Sequence, residues 1–314
     1  DSTIEVLGDA DLEIHGTGGL ETSGGFLSSP IGVNIEDSNI SGGTAGQVVM
    51  NGRGGLGEVN SNHGVSVGGE SAIDSQGGTL EINGWGGGSN DSGNNIGILL
   101  WQGGLIRGAA NSPTSLEGTG GNASGDHNDG IRVAGVSNTD QSSTITSAGG
   151  SITINGFAGG TAGSTYNSGT EVLNGAIIEG PENEELVVSG TGGIATGGHD
   201  QGVVVYGASE AGVGATITSR GGDVTIDGKG GGTGDVGFNR GVAVWRGGRV
   251  TAGEMGDVTV TGVGGNDNGP FNLGVSVAAS EADARITSSG GDVLIRGTGQ
   301  GGPSSSNNRG VEVL

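Results

Sequence analysis

The sequence predicts an all-β fold: a parallel β-solenoid (β-helix) of about nine coils, 33–39 residues each, running through residues 1–314 as a single repeat domain. Three observations predict it. Glycine is in large excess, 77 of 314 residues, against three Trp, two Tyr, four Phe and a single lysine, Lys229. A pair of glycines recurs at nearly fixed spacing. Around that pair, apolar residues alternate with polar ones at the period of two that marks a β-strand. The unit is clearest from Ile217 to Trp245, ITSRGGDVTIDGKGGGTGDVGFNRGVAVW.

Each coil opens on a branched residue: Ile4, Ile40, Ile73, Ile106, Ile145, Ile178, Ile217, Val250 and Ile286. From Ile73 onward the coils pair into a longer repeat of 72, 72 and 69 residues. A second strand follows, in which Val224 and Ile226 flank Thr225, as Ile152 and Ile154 flank Thr153. It leads into the first glycine of the pair: Gly16, Gly52, Gly84, Gly118, Gly156, Gly190, Gly228, Gly262 and Gly297. These glycines are expected at corners, where a positive φ or a close approach excludes a Cβ. The second glycine is Gly32, Gly64, Gly97, Gly130, Gly169, Gly202, Gly241, Gly274 or Gly310, 16 residues later in the first coil and 12 or 13 in the others. It opens a third strand, such as Val242-Ala243-Val244.

Such strands cannot stand alone. Ordering about 35 residues costs roughly 1–2 kcal/mol each in backbone entropy, whereas about six inward side chains return only about 1.5–3 kcal/mol apiece. The coils must therefore stack. Three strands per coil imply a roughly triangular section, and the usual sense of parallel crossovers implies a right-handed one. At one strand spacing per coil the rod would be about 43 Å long.

Two residues before the second glycine stand Asn62, Asn95, Asn128, Asn167, Asp200, Asn239, Asn272 and Asn308, with Pro30 in the first coil. This column is expected to form a stacking ladder, each side chain bonding to the next coil at a turn.

ITSRGGDVTIDGKGGG followed by NRGVAVW resembles the repeats of bacterial glycine-rich β-strand-repeat surface proteins, the class of filamentous-haemagglutinin-like adhesins, and the resemblance runs through all nine coils. It implies a secreted, extracellular fibre or stalk at the cell surface, used in attachment or in a surface layer.

Other functions are constrained by composition. A net charge of −23 argues against a nucleic-acid partner, which would need clustered Lys and Arg. With no Cys there is neither a disulfide framework nor a thiolate metal site. No apolar run reaches the about 18 residues of a membrane span, and any export signal or anchor is expected outside this segment. No enzyme activity is expected: outward positions such as Glu13, Glu81, Arg132, Glu171 and Glu312 read as a solvated face without two juxtaposed carboxylates and a base. His15, His63, His127 and His199 read as surface residues at different points of their coils. No cofactor is expected. Ca²⁺ is the one cation with any signal, from GGTGDVGFN (231–239) and from Asp126, Asp129, Asp200, Asp235 and Asp267 in loops.

One outward column stands apart. Leu99, Trp101, Leu173, Tyr206 and Trp245 form an apolar stripe, which suits lateral packing of rods or platforms for surface glycans, unless a loop of the same coil folds over it. Finally, the segment starts on a first-strand landmark and finishes on a third strand, GVEVL, with no amphipathic helix or polar cap at either end. The expected partner is therefore the chain itself, continuing or polymerising head to tail through uncapped solenoid ends as a structural or adhesive fibre. The alternatives are a carbohydrate-binding stalk or a polysaccharide-active β-helix enzyme.

Overall fold

The computed structural model describes residues 2–21, 29–136, 141–207, 214–280 and 282–314. It is a parallel β-solenoid of nine coils built from three sheets of nine strands each. In the seventh coil the three strands are Thr216–Ser219, Val224–Lys229 and Val242–Trp245. Each pairs in parallel with the corresponding strand of the coil before and the coil after. Main-chain hydrogen bonding thus runs along the rod, and one coil is incomplete without its neighbours.

The sequence landmarks are register marks. The branched residues pair from Ile4 with Ile40 at one end to Val250 with Ile286 at the other, all in the first sheet. The first glycines pair the same way in the second sheet, from Gly16 with Gly52 to Gly262 with Gly297. Inward residues form one continuous apolar core: Ile217, Val224, Ile226, Val242 and Val244 have no exposed surface, and their counterparts in the other interior coils are buried as well, Thr114 and Thr170 being the polar ones.

The glycine pair is placed differently from expectation, and the difference explains its conservation of spacing from coil to coil. The first glycine is not at a corner but inside the six-residue strand of the second sheet, as Gly228 is within Val224–Lys229. None of the paired glycines has a positive φ. What excludes a side chain is close approach between sheets. In all nine coils a Cβ on the first glycine would lie 1.9–2.3 Å from the carbonyl oxygen of the second. The second glycine in turn meets the next coil. A Cβ on Gly241 would sit 2.3 Å from the backbone nitrogen of Val263, and the same clash, at 2.2–2.4 Å, recurs at Gly32, Gly64, Gly97, Gly130, Gly169, Gly202 and Gly274. The second and third sheets are pinched together along a seam where only backbone fits.

Both clashes at this seam are with main-chain atoms held in sheets, which cannot step aside. Gly241→Ala or Gly228→Ala is therefore expected to lower stability by roughly 3 kcal/mol or more, the range of severe overpacking. Gly19→Ala, whose Cβ would meet nothing within 4 Å, is the matched control, with a change expected within about 0.5 kcal/mol. Urea denaturation midpoints of the three variants check this; equal midpoints would refute the seam as the constraint.

Candidate functional site on the third sheet

The turn that leads into the third sheet carries the asparagine column. Asn62, Asn95, Asn128, Asn167, Asp200, Asn239 and Asn272 have no exposed surface, and Asn308 in the last coil is half-buried. From Asn95 onward each side-chain oxygen accepts from the coil before it, whereas Asn62 Oδ1, which faces the coil of Pro30, is buried without a partner. Asn95 Oδ1 accepts from Asn62 N and Nδ2 at 3.1 and 2.7 Å. Asn167 Oδ1 accepts from Asn128 N at 3.0 Å, Asn239 Oδ1 from Asp200 N at 2.8 Å, and Asn308 Oδ1 from Asn272 N at 3.0 Å. These bonds satisfy buried turn amides that lie outside the sheet ladders.

Immediately before this column lies a feature the sequence reading missed. Ser61, Asn94, His127, Tyr166, His199, Phe238, Phe271 and Asn307 all adopt left-handed backbone, with φ between 56° and 68°. Such a φ is unfavourable for bulky residues. Five consecutive coils nevertheless place a ring there, and the rings stack: His127 on Tyr166 at 5.4 Å, Tyr166 on His199 at 4.7 Å, His199 on Phe238 at 4.9 Å and Phe238 on Phe271 at 5.1 Å between centroids. Each stacked pair contributes about 0.5–1.5 kcal/mol beyond its buried area, enough to offset much of the backbone cost. His127 and His199 therefore share one column rather than falling at unrelated points. His63 is not a surface residue at all: it is 4 % exposed, and its Nδ1 accepts from Ile96 N at 3.3 Å. Burial, with help from Arg132, pulls its pKa down to about 3. Writing the residue that precedes each ladder asparagine would have exposed the ring column.

The ring column walls one side of the outer face of the third sheet, and the apolar stripe walls the other. Trp101, Ala134, Leu173, Tyr206, Trp245 and Ala278 occupy one register position on successive coils. Leu99 is two residues back, in register with Arg132, Glu171 and Val204. All five predicted contact residues, Leu99, Trp101, Leu173, Tyr206 and Trp245, are half-buried rather than open to solvent. Side chains pack against two of them, from the next coil on Tyr206 and from the same coil on Trp245. The Trp101 indole lies over Gly68, where a Cβ would come within 2.3 Å of Nε1. Arg246 donates to the Tyr206 hydroxyl, and Arg240 packs 4.4 Å from the centre of the Trp245 ring.

Between the walls, the structure brings together two carboxylates and bases that the sequence reading kept apart. Arg132 donates through Nε to Glu171 at 2.8 Å, through Nη1 to Asn94 Oδ1 at 3.0 Å, and through Nη2 to Asp129 and to His127 Nδ1. Asp129 also accepts from Ser168 N at 2.8 Å. The cluster is a closed ion network: the guanidinium occupies both carboxylates. Of the other loop aspartates weighed for Ca²⁺, two are engaged by neutral donors. Asp126 accepts from Thr165, and Asp267 from Gly237 N and from Asn239 and Asn272. Among the described residues no three His, Asp or Glu side chains converge as metal ligands would.

No protein-family model, curated protein or solved structure matches this chain. The reading of this face accordingly rests on its own geometry.

The one acid in the ladder has a measurable consequence. Asp200 accepts from Asn167 Nδ2 at 2.7 Å through Oδ1, while its buried Oδ2 has no partner. Burial pushes its pKa up to about 8, so the folded protein holds a proton that the unfolded chain releases near its ordinary value. Stability is expected to fall as pH rises between roughly 4 and 8, with a limiting slope of about 1.4 kcal/mol per pH unit, and to level off above. Asp200→Asn should remove that component of the pH dependence and raise the denaturation midpoint most at alkaline pH. Parallel midpoint-versus-pH curves for the two proteins would show that Asp200 does not titrate in this window.

Proposed function

We propose that the chain is a segment of a non-catalytic structural or adhesive fibre at a bacterial cell surface, extended through the ends of its solenoid. The observation that carries this reading is that no coil is self-sufficient. Ile217, Val224, Val242 and Val244 are fully buried, and all three strands of their coil hydrogen-bond to the coil before and the coil after. A further coil, from the same chain or from a second copy, would continue all three sheets in register. Contact between unlike ends is heterologous and does not close, so it yields filaments.

The outer surface is consistent with a passive rod. The paired carboxylates Asp129 and Glu171 are committed to Arg132, which leaves no free acid and base beside each other there. The resemblance to glycine-rich surface repeats supports an extracellular fibre or stalk, and the usual sense of parallel crossovers supports right-handed coils. A carbohydrate-binding stalk is the second reading, favoured by the five stacked rings.

The purified 314-residue chain is expected to associate end to end into particles that grow in steps of one rod, about 43 Å. Salt should promote association by screening the charge of −23. Val311→Asp with Val313→Asp should suppress it several-fold. Light scattering and electron microscopy read the outcome; a single 30.2 kDa species at every concentration and salt level would sink the proposal.

A further inference from the structure

In the third, fourth and fifth coils the second sheet is formed by Leu80–Trp85, Thr114–Thr119 and Ile152–Phe157. Two outward columns cross these strands in register: Trp85, Thr119 and Phe157 in one, Asn83, Glu117 and Asn155 in the other. Both are interrupted at the fourth coil.

In the first column the Arg53 guanidinium of the second coil packs over the Trp85 ring, 5.4 Å from its centre. The next coil supplies only Thr119, and the one after supplies Phe157, which is 42 % exposed. Trp85 and Phe157 are two strand spacings apart, about 9.6 Å. That is about twice the 4.7–5.4 Å at which rings stack beside the asparagine ladder, so the gap over Thr119 is one flat group thick. In the second column Asn83 Nδ2 donates to Asn51 Oδ1 at 3.0 Å and to Glu81 at 2.7 Å, and Ser189 donates to Asn155 Oδ1 at 2.7 Å. Glu117, between them, is exposed and has no partner among the described residues. The outward side chains of these three strands thus hold two carboxylates and no cation.

We infer that this gap receives an arginine side chain of a basic partner protein, its guanidinium lying between Trp85 and Phe157 and donating to Glu117. A guanidinium is flat, stacks on aromatic faces and presents in-plane donors that match a carboxylate. Arg53 already fills the same column in this way one coil earlier. The unpaired carboxylate favours a cation over a neutral sugar, and the net charge of −23 favours a basic partner over a second copy of the chain. Such a site deepens the adhesive reading of the rod and rests on it, but it lies on the side of the third to fifth coils, so arginine binding and end-to-end association can fail separately.

Isothermal titration of the intact chain with hexaarginine and hexalysine peptides tests this. Hexaarginine is expected to bind at least about fivefold more tightly at the same salt concentration, because the lysine ammonium neither stacks nor bridges a carboxylate in the same way. Phe157→Ala and Glu117→Gln should each weaken hexaarginine binding by about fivefold or more at unchanged circular dichroism. Glu182→Gln, which removes the same charge from an exposed turn, should leave it within about twofold. Equal affinity for the two peptides, no binding of hexaarginine up to about 1 mM, or native affinity in Phe157→Ala and Glu117→Gln would overturn the site. Binding of cellohexaose that is lost in Phe157→Ala would overturn the assignment in favour of a glycan, and lateral dimers lost in the same variant would overturn it in favour of a second copy.

Discussion

The structure depends on a seam where two sheets touch through backbone alone. At each coil the second and third strands cross so closely that a methyl group on the first glycine would fall about 2 Å from the carbonyl of the second. This contact sets the width of the rod, and through it the size of the core. A section so narrow has room for about two inward side chains per strand, chiefly Val and Ile, and not for aromatic residues. The low aromatic content of the sequence and its many glycines are therefore two sides of one constraint. Because the second glycine also abuts the peptide of the next coil, the seam locks register along the axis as well as across it.

Once register is locked, every side-chain position becomes a column with the spacing of strands in a sheet, about 4.8 Å. That spacing matches both a side-chain amide hydrogen bond and an offset ring stack, and the turn before the third sheet exploits both in adjacent positions. The ladder asparagine points inward because the residue before it is left-handed. The left-handed residue in turn projects its ring outward, where the equivalent ring of the next coil meets it at 4.7–5.4 Å. The cost of the backbone conformation and the gain from stacking belong to the same geometry. Asn94 and Asn307, on either side of the ring column, are of the residue type that tolerates this φ best.

Much of this was legible in the sequence. The nine first-strand residues, both glycine columns and the asparagine column are all real registers, because period and spacing survive in the letters when strands stack in parallel. What was not legible depends on distances across the coil rather than along it. Nothing in the spacing of Gly228 and Gly241 says that their backbones touch, and so the first glycine was expected at a corner. Trp101, Leu173, Tyr206 and Trp245 do share one register position, with Leu99 two residues back, but the cover of Tyr206 and Trp245 by Arg246 and Arg240 depends on contacts the spacing does not show. His63 was misplaced because its burial, with Nδ1 accepting from Ile96 N of the next coil, depends on the coils around it and not on its place along its own.

The outer face of the third sheet shows two ways of accommodating an arginine, one within a strand and one in the turn before it. In the fourth coil, Arg132 is enclosed by Asp129 of its own coil and Glu171 of the next, and the ions cancel locally. The desolvation of that guanidinium is compensated within the fold, so the network stiffens the stack. Three coils on, the residue taking the place of Asp129 is Arg240 itself, and the positions in register with Arg132 and Glu171 are Val204, Ala243 and Ser276. The acids are gone, two aromatic rings flank the cation, and the floor contracts to small residues. Cation–π contacts recover part of the lost hydration, about 0.5–2 kcal/mol, but they leave the in-plane donors without an acceptor. A repeat protein can lose a capped ion pair by drift at any coil. What drift does not touch is the backbone register, which carries Arg132, Glu171, Val204, Ala243 and Ser276 through one position of the sheet although their chemistry has nothing in common.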